Sequence, residues 1–103
     1  MIKNFRTYSL AVDFYRLASG IKLPCHLKDQ LQRAASSISL NLAEGSARST
    51  AADQKRHFYI AFGSLRECEA VLDLCGDENC EAKIVADKLA AHIYCLIKRV
   101  RGR

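Results

Sequence analysis

Apolar residues in this chain recur every three or four positions over almost its whole length, a spacing that predicts α-helices. Short segments containing Gly20 and Pro24, Gly45, and Gly76 separate four such stripes. The chain has one proline and no Asn-Gly or Asp-Gly pair, so it lacks the turn residues that many short strands would require. The sequence therefore predicts an all-α protein.

The lengths of the stripes set the expected architecture. The predicted helices span residues 4–19, 27–44, 51–75 and 80–100. Together with a basic C-terminal tail they are expected to form one domain over residues 1–103. Thr50 is expected to cap helix three, and Gly45 is expected to end helix two in a left-handed conformation. Four amphipathic helices with short connections favour an antiparallel up-down-up-down four-helix bundle.

Targeting signals and cysteine usage bear on the compartment. The first residues lack a signal-peptide pattern, and no apolar run reaches the roughly 20 residues of a membrane-spanning helix. Five cysteines are an odd number, which excludes a complete disulfide framework and favours a reducing compartment. We therefore expect a cytoplasmic protein with no membrane partner.

Helix one has an unusually wide apolar arc. One group of apolar side chains on it consists of Leu10, Phe14, Leu17 and Ile21. An almost opposite group consists of Phe5, Tyr8, Val12 and Tyr15, and Ala11 and Ala18 lie between the two groups. The arc is about twice the roughly 100° stripe that a surface helix needs. We expect the first group to form an oligomer interface. The alternative is a helix wrapped tightly within one bundle.

Charge is distributed unevenly along the chain. Residues 1–66 hold ten basic and four acidic side chains. Residues 67–87 hold one basic and seven acidic side chains, and residues 88–103 hold five basic and no acidic side chains. An up-down-up-down bundle places the start of helix one, the loop after helix two and the end of helix four together. The cations expected at that end are Lys3, Arg6, Arg48, Lys55, Arg56, Lys98, Arg99, Arg101 and Arg103. The acidic residues expected at the opposite end are Asp73, Asp77, Glu78, Glu81 and Asp87.

A basic end of this kind attracts phosphate backbones, so we expect RNA or DNA as the ligand. The alternative is a solvated surface whose cations favour the dipole of helix four and bind no ligand. Catalytic signals are missing from the sequence, which has no nucleophile elbow, P-loop or Glu-x-x-His pair. Cys80 and His92 would lie about 18 Å apart along one helix, too far for one zinc ion. We expect no enzymatic activity and no cofactor.

Three segments carry a recognisable pattern, Gln30–Ala35, Ser37–Arg48 and Tyr59–Glu67. They resemble the bacterial four-helix bundle family of ribosomal RNA intervening-sequence proteins, and the resemblance spans about residues 5–100. It implies a homopentameric barrel and kinship with the accessory variability proteins of diversity-generating retroelements, which are basic pentamers that bind nucleic acid and a reverse transcriptase. The function it implies is a nucleic-acid-binding adapter of a reverse transcriptase. The alternative is a structural or protein-interaction scaffold without a nucleic-acid ligand.

The same segments contain a carboxylate that needs a partner. Glu44 lies at the predicted C-terminus of helix two, where negative charge is unfavourable. A nearby cation is therefore expected, and the candidates are Arg33, Arg48 and Arg66.

Polar residues in these segments also predict a network between helices two and three. Asn41 and Ser37 share one side of helix two. We expect Asn41 to hydrogen-bond Ser64 or the backbone beside Gly63, where the missing side chain permits close approach. We interpret the network as structural, because buried polar contacts of this kind fix helix register. A functional surface is the alternative.

Overall fold

The computed structural model describes residues 5–75 and 81–100, and it describes only the backbone of Phe5 and Cys75. Its helices are α1 (Phe5–Ser19), α2 (Cys25–Ser46), α3 (Ala51–Cys75) and α4 (Glu81–Arg99). No strand occurs within the described residues, so the predicted all-α class is confirmed. The molecule measures 44 Å along its long axis and 22 Å across.

The four helices form a ring in which each one packs against two others. α1 and α3 both pack against α2 and α4. Hydrogen bonds join Asn41 to His57 and Gln30 to Glu67, so residue numbers rise along α3 as they fall along α2. These two helices are therefore antiparallel, and the short connections before α2 and after α3 give the up-down-up-down order of a four-helix bundle.

The turn between α1 and α2 is held by Pro24 and Lys28. The carbonyl of Pro24 accepts the N–H groups of Leu27 at 3.0 Å and Lys28 at 2.9 Å, so α2 begins two residues earlier than predicted. The fixed φ of proline, here −53°, suits this position, where no N–H donor is needed. The ammonium of Lys28 donates to the carbonyls of Ser19 and Ile21, both at 2.9 Å. It thereby satisfies carbonyl groups that the end of α1 leaves open.

The connection between α2 and α3 is equally well capped. The N–H of Ala47 donates to the carbonyl of Glu44 at 3.1 Å. The hydroxyl oxygen of Thr50 accepts the N–H of Asp53 at 3.2 Å, which confirms the prediction that Thr50 caps α3.

Gly45 does not end α2, as the sequence had led us to expect, but lies within its last turn. The helix continues to Ser46, and Ala47 after it has right-handed dihedral angles of −89° and −9°. A β-carbon at Gly45 would lie 2.6 Å from Cε1 of Phe58 and 3.0 Å from the β-carbon of His57. The prediction of a left-handed cap was wrong because glycine is required here for the close approach of α3.

The buried face of α1 passes through the small residues that separate its two apolar groups. Ala11, Phe14 and Ala18 are fully buried in the core of the bundle. The assignment of Phe14 to an oligomer interface is therefore corrected, since its ring is covered by its own chain. Alanine at the centre of this face lets α1 approach its neighbours closely.

The larger side chains on either side of that face pack against the same core. Those on one side are Leu10, Leu17 and Ile21, and those on the other are Tyr8 and Tyr15. All five are partly buried. The wide apolar arc of α1 is thus largely covered within one bundle. It is wide because α1 packs against two neighbouring helices and needs an apolar face towards each of them.

A pair of alanine substitutions tests the close contact at Gly45. Gly45→Ala should lower the free energy of unfolding by about 1–3 kcal/mol, because the new methyl group overpacks a rigid contact. Gly63→Ala is the matched control. Close approach at Gly63, which the sequence predicted, is not found, since a β-carbon there would meet no atom within 4 Å. Alanine at Gly63 should therefore stabilise α3 by about 0.5–1 kcal/mol. Urea unfolding measures the free energy of unfolding of both variants. Equal stability of the two variants would contradict the assignment of the close helix contact to Gly45.

Candidate nucleic-acid interface

Six of the thirteen described lysine and arginine residues lie where α1 begins, α2 joins α3 and α4 ends. They are Arg6, Arg48, Lys55, Arg56, Lys98 and Arg99, and we call this group the basic end. Five of the six are exposed, and Lys55 is half-buried. Lys3, Arg101 and Arg103, which were predicted to belong here, lie outside the described residues.

Two carboxylates lie among these cations. Glu44 forms an ion pair with Arg48, one turn along the chain, and Asp53 lies 3.9 Å from the Nε of Arg56. All four side chains are at least 41% exposed, so water screens both pairs and each contributes little to stability. Six cations against two carboxylates leave a local formal charge of +4. The pairs are weak enough for a phosphate to compete for the arginines.

The opposite end is not uniformly acidic, contrary to the sequence-based expectation. The described acidic residues at or near it are Asp73, Glu81 and Asp87 on α3 and α4, and Asp29 on α2. The basic residues of this end on the α1 and α2 side are Arg16, Lys22 and Lys28. Asp77 and Glu78 lie outside the described residues. Charge therefore divides that end into an acidic α3–α4 half and a basic α1–α2 half.

A chain of hydrogen bonds runs between α2 and α3 towards the basic end. The hydroxyl of Ser64 donates to Oγ of Ser37 at 2.9 Å. The amide nitrogen of Asn41 donates to the Ser37 carbonyl at 2.9 Å and lies 3.1 Å from Oγ of Ser37. Ser37 therefore lies between Asn41 and Ser64, which were expected to meet directly. The structure brings the three predicted residues together.

His57 extends this chain of hydrogen bonds, and its role was not predicted from the sequence. Its Nδ1 lies 3.0 Å from Oδ1 of Asn41, and its Nε2 lies 3.2 Å from Nη2 of Arg56. His57 precedes Ser64 by seven residues, a spacing that places both side chains on one face of a helix. That spacing is the signal that could have predicted its position.

The hydrogen-bond partners fix the orientation of the Asn41 amide and the tautomer of His57. The Ser37 carbonyl can only accept, so the amide nitrogen of Asn41 faces it and Oδ1 faces His57. Nδ1 of His57 must then carry the hydrogen, and Nε2 accepts from the guanidinium of Arg56. His57 thus links Arg56 of the basic end to the buried network.

The remaining residues of the predicted network lie outside it. Glu44 pairs with Arg48, one of its three candidate partners, on the exposed surface. Arg66 pairs instead with Glu69 at 2.7 Å, and Arg33 is exposed. Glu44 is therefore a surface residue, and the buried register-fixing contacts belong to the serine, asparagine and histidine side chains.

Metal and thiol chemistry find little support in the described part of the chain. Among the side chains that the structure describes, which do not include that of Cys75, no three His, Cys, Asp or Glu residues form a group that could hold a metal ion. Burial, with a smaller effect from the neighbouring Glu67 and Glu69 carboxylates, raises the pKa of the Cys68 thiol to about 12. Cys68 stays a neutral thiol at physiological pH and packs as a small apolar residue.

The profile of the 23S rRNA-intervening sequence protein family matches residues 5–102. The chain belongs to this family. The match covers nearly all of the bundle, in agreement with the resemblance carried by α2 and α3. Searches of curated proteins and of solved structures gave no match. None of the described helices combines the length and apolar composition needed to cross a membrane. Membership of the intervening-sequence family assigns no ligand, so the ligand is inferred from the surface of the bundle.

Two neighbouring substitutions on α2 separate the network from the surface pair. Asn41→Ala should lower the free energy of unfolding by about 1–3 kcal/mol, because it leaves the Nδ1–H of buried His57 without its acceptor. Glu44→Ala, the control, should cost less than about 1 kcal/mol, because it removes only an exposed ion pair. Chemical denaturation measures both values. A larger loss for Glu44→Ala than for Asn41→Ala would show that the arginine pair, and not the network, fixes the helices.

Proposed function

We propose that this protein is a non-catalytic, cytoplasmic, homo-oligomeric adapter that binds RNA or DNA through the basic end. The observation that supports the proposal is the cluster of six described cations around one end of the bundle, five of them exposed. Arginine and lysine side chains displace counterions from a phosphate backbone, and this displacement drives binding that does not depend on sequence.

Phosphate contact is favoured over base-sequence readout. The cations come from four different helix ends and do not lie along one helix that could enter a major groove. The sequence contains no zinc-finger, basic-zipper or ribonucleoprotein motif. Contacts of this kind position a nucleic acid without reading its sequence, which is the behaviour expected of an adapter.

We propose a homopentamer as the assembly, with the number taken from the family resemblance. Symmetry would bring several basic ends together and strengthen the field acting on a polyanion. Exposed apolar side chains also favour assembly, since Leu40 is 67% exposed and Ile60 is 41% exposed. They lie at the same level on neighbouring helices and are better candidates for a subunit interface than the partly buried Leu10, Leu17 and Ile21.

A reverse transcriptase is the proposed protein partner, because the resemblance extends to the accessory proteins of diversity-generating retroelements. A gene for such an enzyme beside the coding sequence would support this role. An open reading frame inside a ribosomal RNA gene would instead show that an intervening sequence, and not a retroelement, encodes the protein. The second candidate function is a protein-interaction scaffold, and the exposed side chains of Leu74 and Ile84 favour it.

Salt dependence of binding tests the role of the basic end. Fluorescence anisotropy of generic RNA and DNA at two salt concentrations should show affinity that falls steeply as salt rises. The variant Arg6→Gln/Arg99→Gln should bind every sequence more weakly and flatten the salt slope by roughly one unit for each phosphate that the variant no longer neutralises.

The matched control is Arg16→Gln/Lys22→Gln, which removes the same charge from exposed positions at the other end. It should bind nearly as well as the intact protein. Equal weakening by both variants would show that net charge, and not the basic end, attracts the ligand. If the intact protein binds neither RNA nor DNA near physiological salt and no polymerase co-purifies with it, the scaffold function replaces the adapter.

A further inference from the structure

A surface on α3 and α4 combines aromatic rings with cations. Its side chains, which we call the aromatic-basic surface, are Lys55, Tyr59, Phe62 and Arg66 on α3 and Tyr94 and Lys98 on α4. The α3 residues are four, three and four positions apart, and the α4 residues are four apart, so each set occupies one helix face.

An ion pair indicates that the two sets lie on the same side of the bundle and at the same level. Nζ of Lys83 lies 3.2 Å from Oδ1 of Asp73, and this contact shows the register of α4 on α3. Tyr94 follows Lys83 by eleven residues, and Phe62 precedes Asp73 by eleven. Eleven residues are about three helical turns, so Tyr94 and Phe62 lie on the same faces as the ion pair. Because α3 and α4 run antiparallel, the two rings are also at the same level along the bundle.

The two tyrosine rings are accessible, and cations lie over two rings of the surface. Tyr59 is 59% exposed and Tyr94 is 54% exposed, although large aromatic side chains are usually well covered. The guanidinium carbon of Arg66 lies 4.8 Å from the centre of the Phe62 ring, and Nζ of Lys98 lies 5.7 Å from that of Tyr94. Arg66 also contacts Glu69, but its guanidinium has five N–H groups, so one carboxylate does not exhaust it.

We propose that the aromatic-basic surface stacks the unpaired bases of single-stranded RNA or DNA. This inference rests on the proposed nucleic-acid function and narrows its ligand. Exposed rings stack on any base whose face is free, and adjacent cations hold the phosphates between successive bases. A duplex offers no such free faces along its length. Lys55 and Lys98 belong to both the aromatic-basic surface and the basic end, so one strand can follow both.

The distribution of charge disfavours a second copy of the chain as the occupant. Lysine is depleted at the centres of protein interfaces, where charged side chains would lose their water. Here Lys98 lies directly over an exposed ring. The apolar pair Leu40 and Ile60, at the junction of α2 and α3, is the more suitable surface for a copy of the chain.

Tyrosine fluorescence gives a direct measure of stacking. The chain has no tryptophan and four tyrosines, and two of these, Tyr8 and Tyr15, pack against the core. Tyr59 and Tyr94 are the exposed reporters. Titration with oligothymidylate and with oligouridylate should quench their emission after correction for absorbance, and a duplex of the same length should quench it less. The two single-stranded probes also show whether the 2′-hydroxyl matters.

Substitution of the rings tests the inference further. Tyr59→Leu/Tyr94→Leu keeps apolar area but removes the stacking faces, so single-strand affinity should fall about tenfold or more, as expected when bases no longer stack on rings. Duplex affinity should change less than about twofold. Tyr59→Phe/Tyr94→Phe should retain single-strand binding, because the rings remain. Ile84→Ala, which removes an exposed apolar side chain elsewhere on α4, is the control and should change neither affinity.

The outcomes separate this inference from the proposed function. If the intact protein binds neither single strands nor duplex, both fail. If it binds nucleic acid and the leucine variant loses no preference for single strands, the basic end alone binds and the stacking inference is overturned. If the leucine variant loses mass in light scattering, the rings form a subunit interface, and the stacking inference is likewise overturned.

Discussion

Gly45 lies so close to α3 that a β-carbon in its place would sit 2.6 Å from the ring of Phe58. One turn and two turns before it on α2, Asn41 and Ser37 hydrogen-bond across to α3. The close contact and the polar network act on the same pair of helices, so α2 and α3 have one register. A shift along either helix would break the hydrogen bonds and force a neighbouring side chain against Phe58.

The charge pattern of the surface depends on that register. With α2 and α3 fixed, their connection lies at the end where α1 begins and α4 ends, and the cations of four chain segments become neighbours. The network also reaches this end directly, because His57 accepts a hydrogen bond from Arg56. The structural network and the proposed binding surface are therefore linked, since His57 joins the network to the guanidinium of Arg56 at the basic end.

Much of the fold could be predicted because it depends on local chemistry. Apolar spacing predicts the helices, Thr50 the start of α3, and short connections the order of the bundle. The basic end follows from that order by simple topology. Membership in the intervening-sequence family agrees with the sequence pattern of α2 and α3.

The rest could not be predicted because it depends on what lies across the helix interface. Gly45 and Gly63 are both plausible close-packing sites in sequence, yet only Gly45 meets a neighbouring helix. The arc of α1 looked too wide for one bundle because its central alanines were not recognised as the buried face. The common level of Phe62 and Tyr94 follows from the register of α4 on α3, which the Lys83–Asp73 contact shows and no periodicity within one helix reveals.

We propose that a nucleic-acid strand lies on the basic end and along the outer faces of α3 and α4. Photo-cross-linking tests it most directly, with an oligonucleotide that carries a photoreactive pyrimidine and mass spectrometry of the linked peptides. Cross-links are expected at Tyr59 and Tyr94, which lie beside the basic end. Cross-links confined to residues 16–28, around the turn between α1 and α2 at the opposite end, would contradict it.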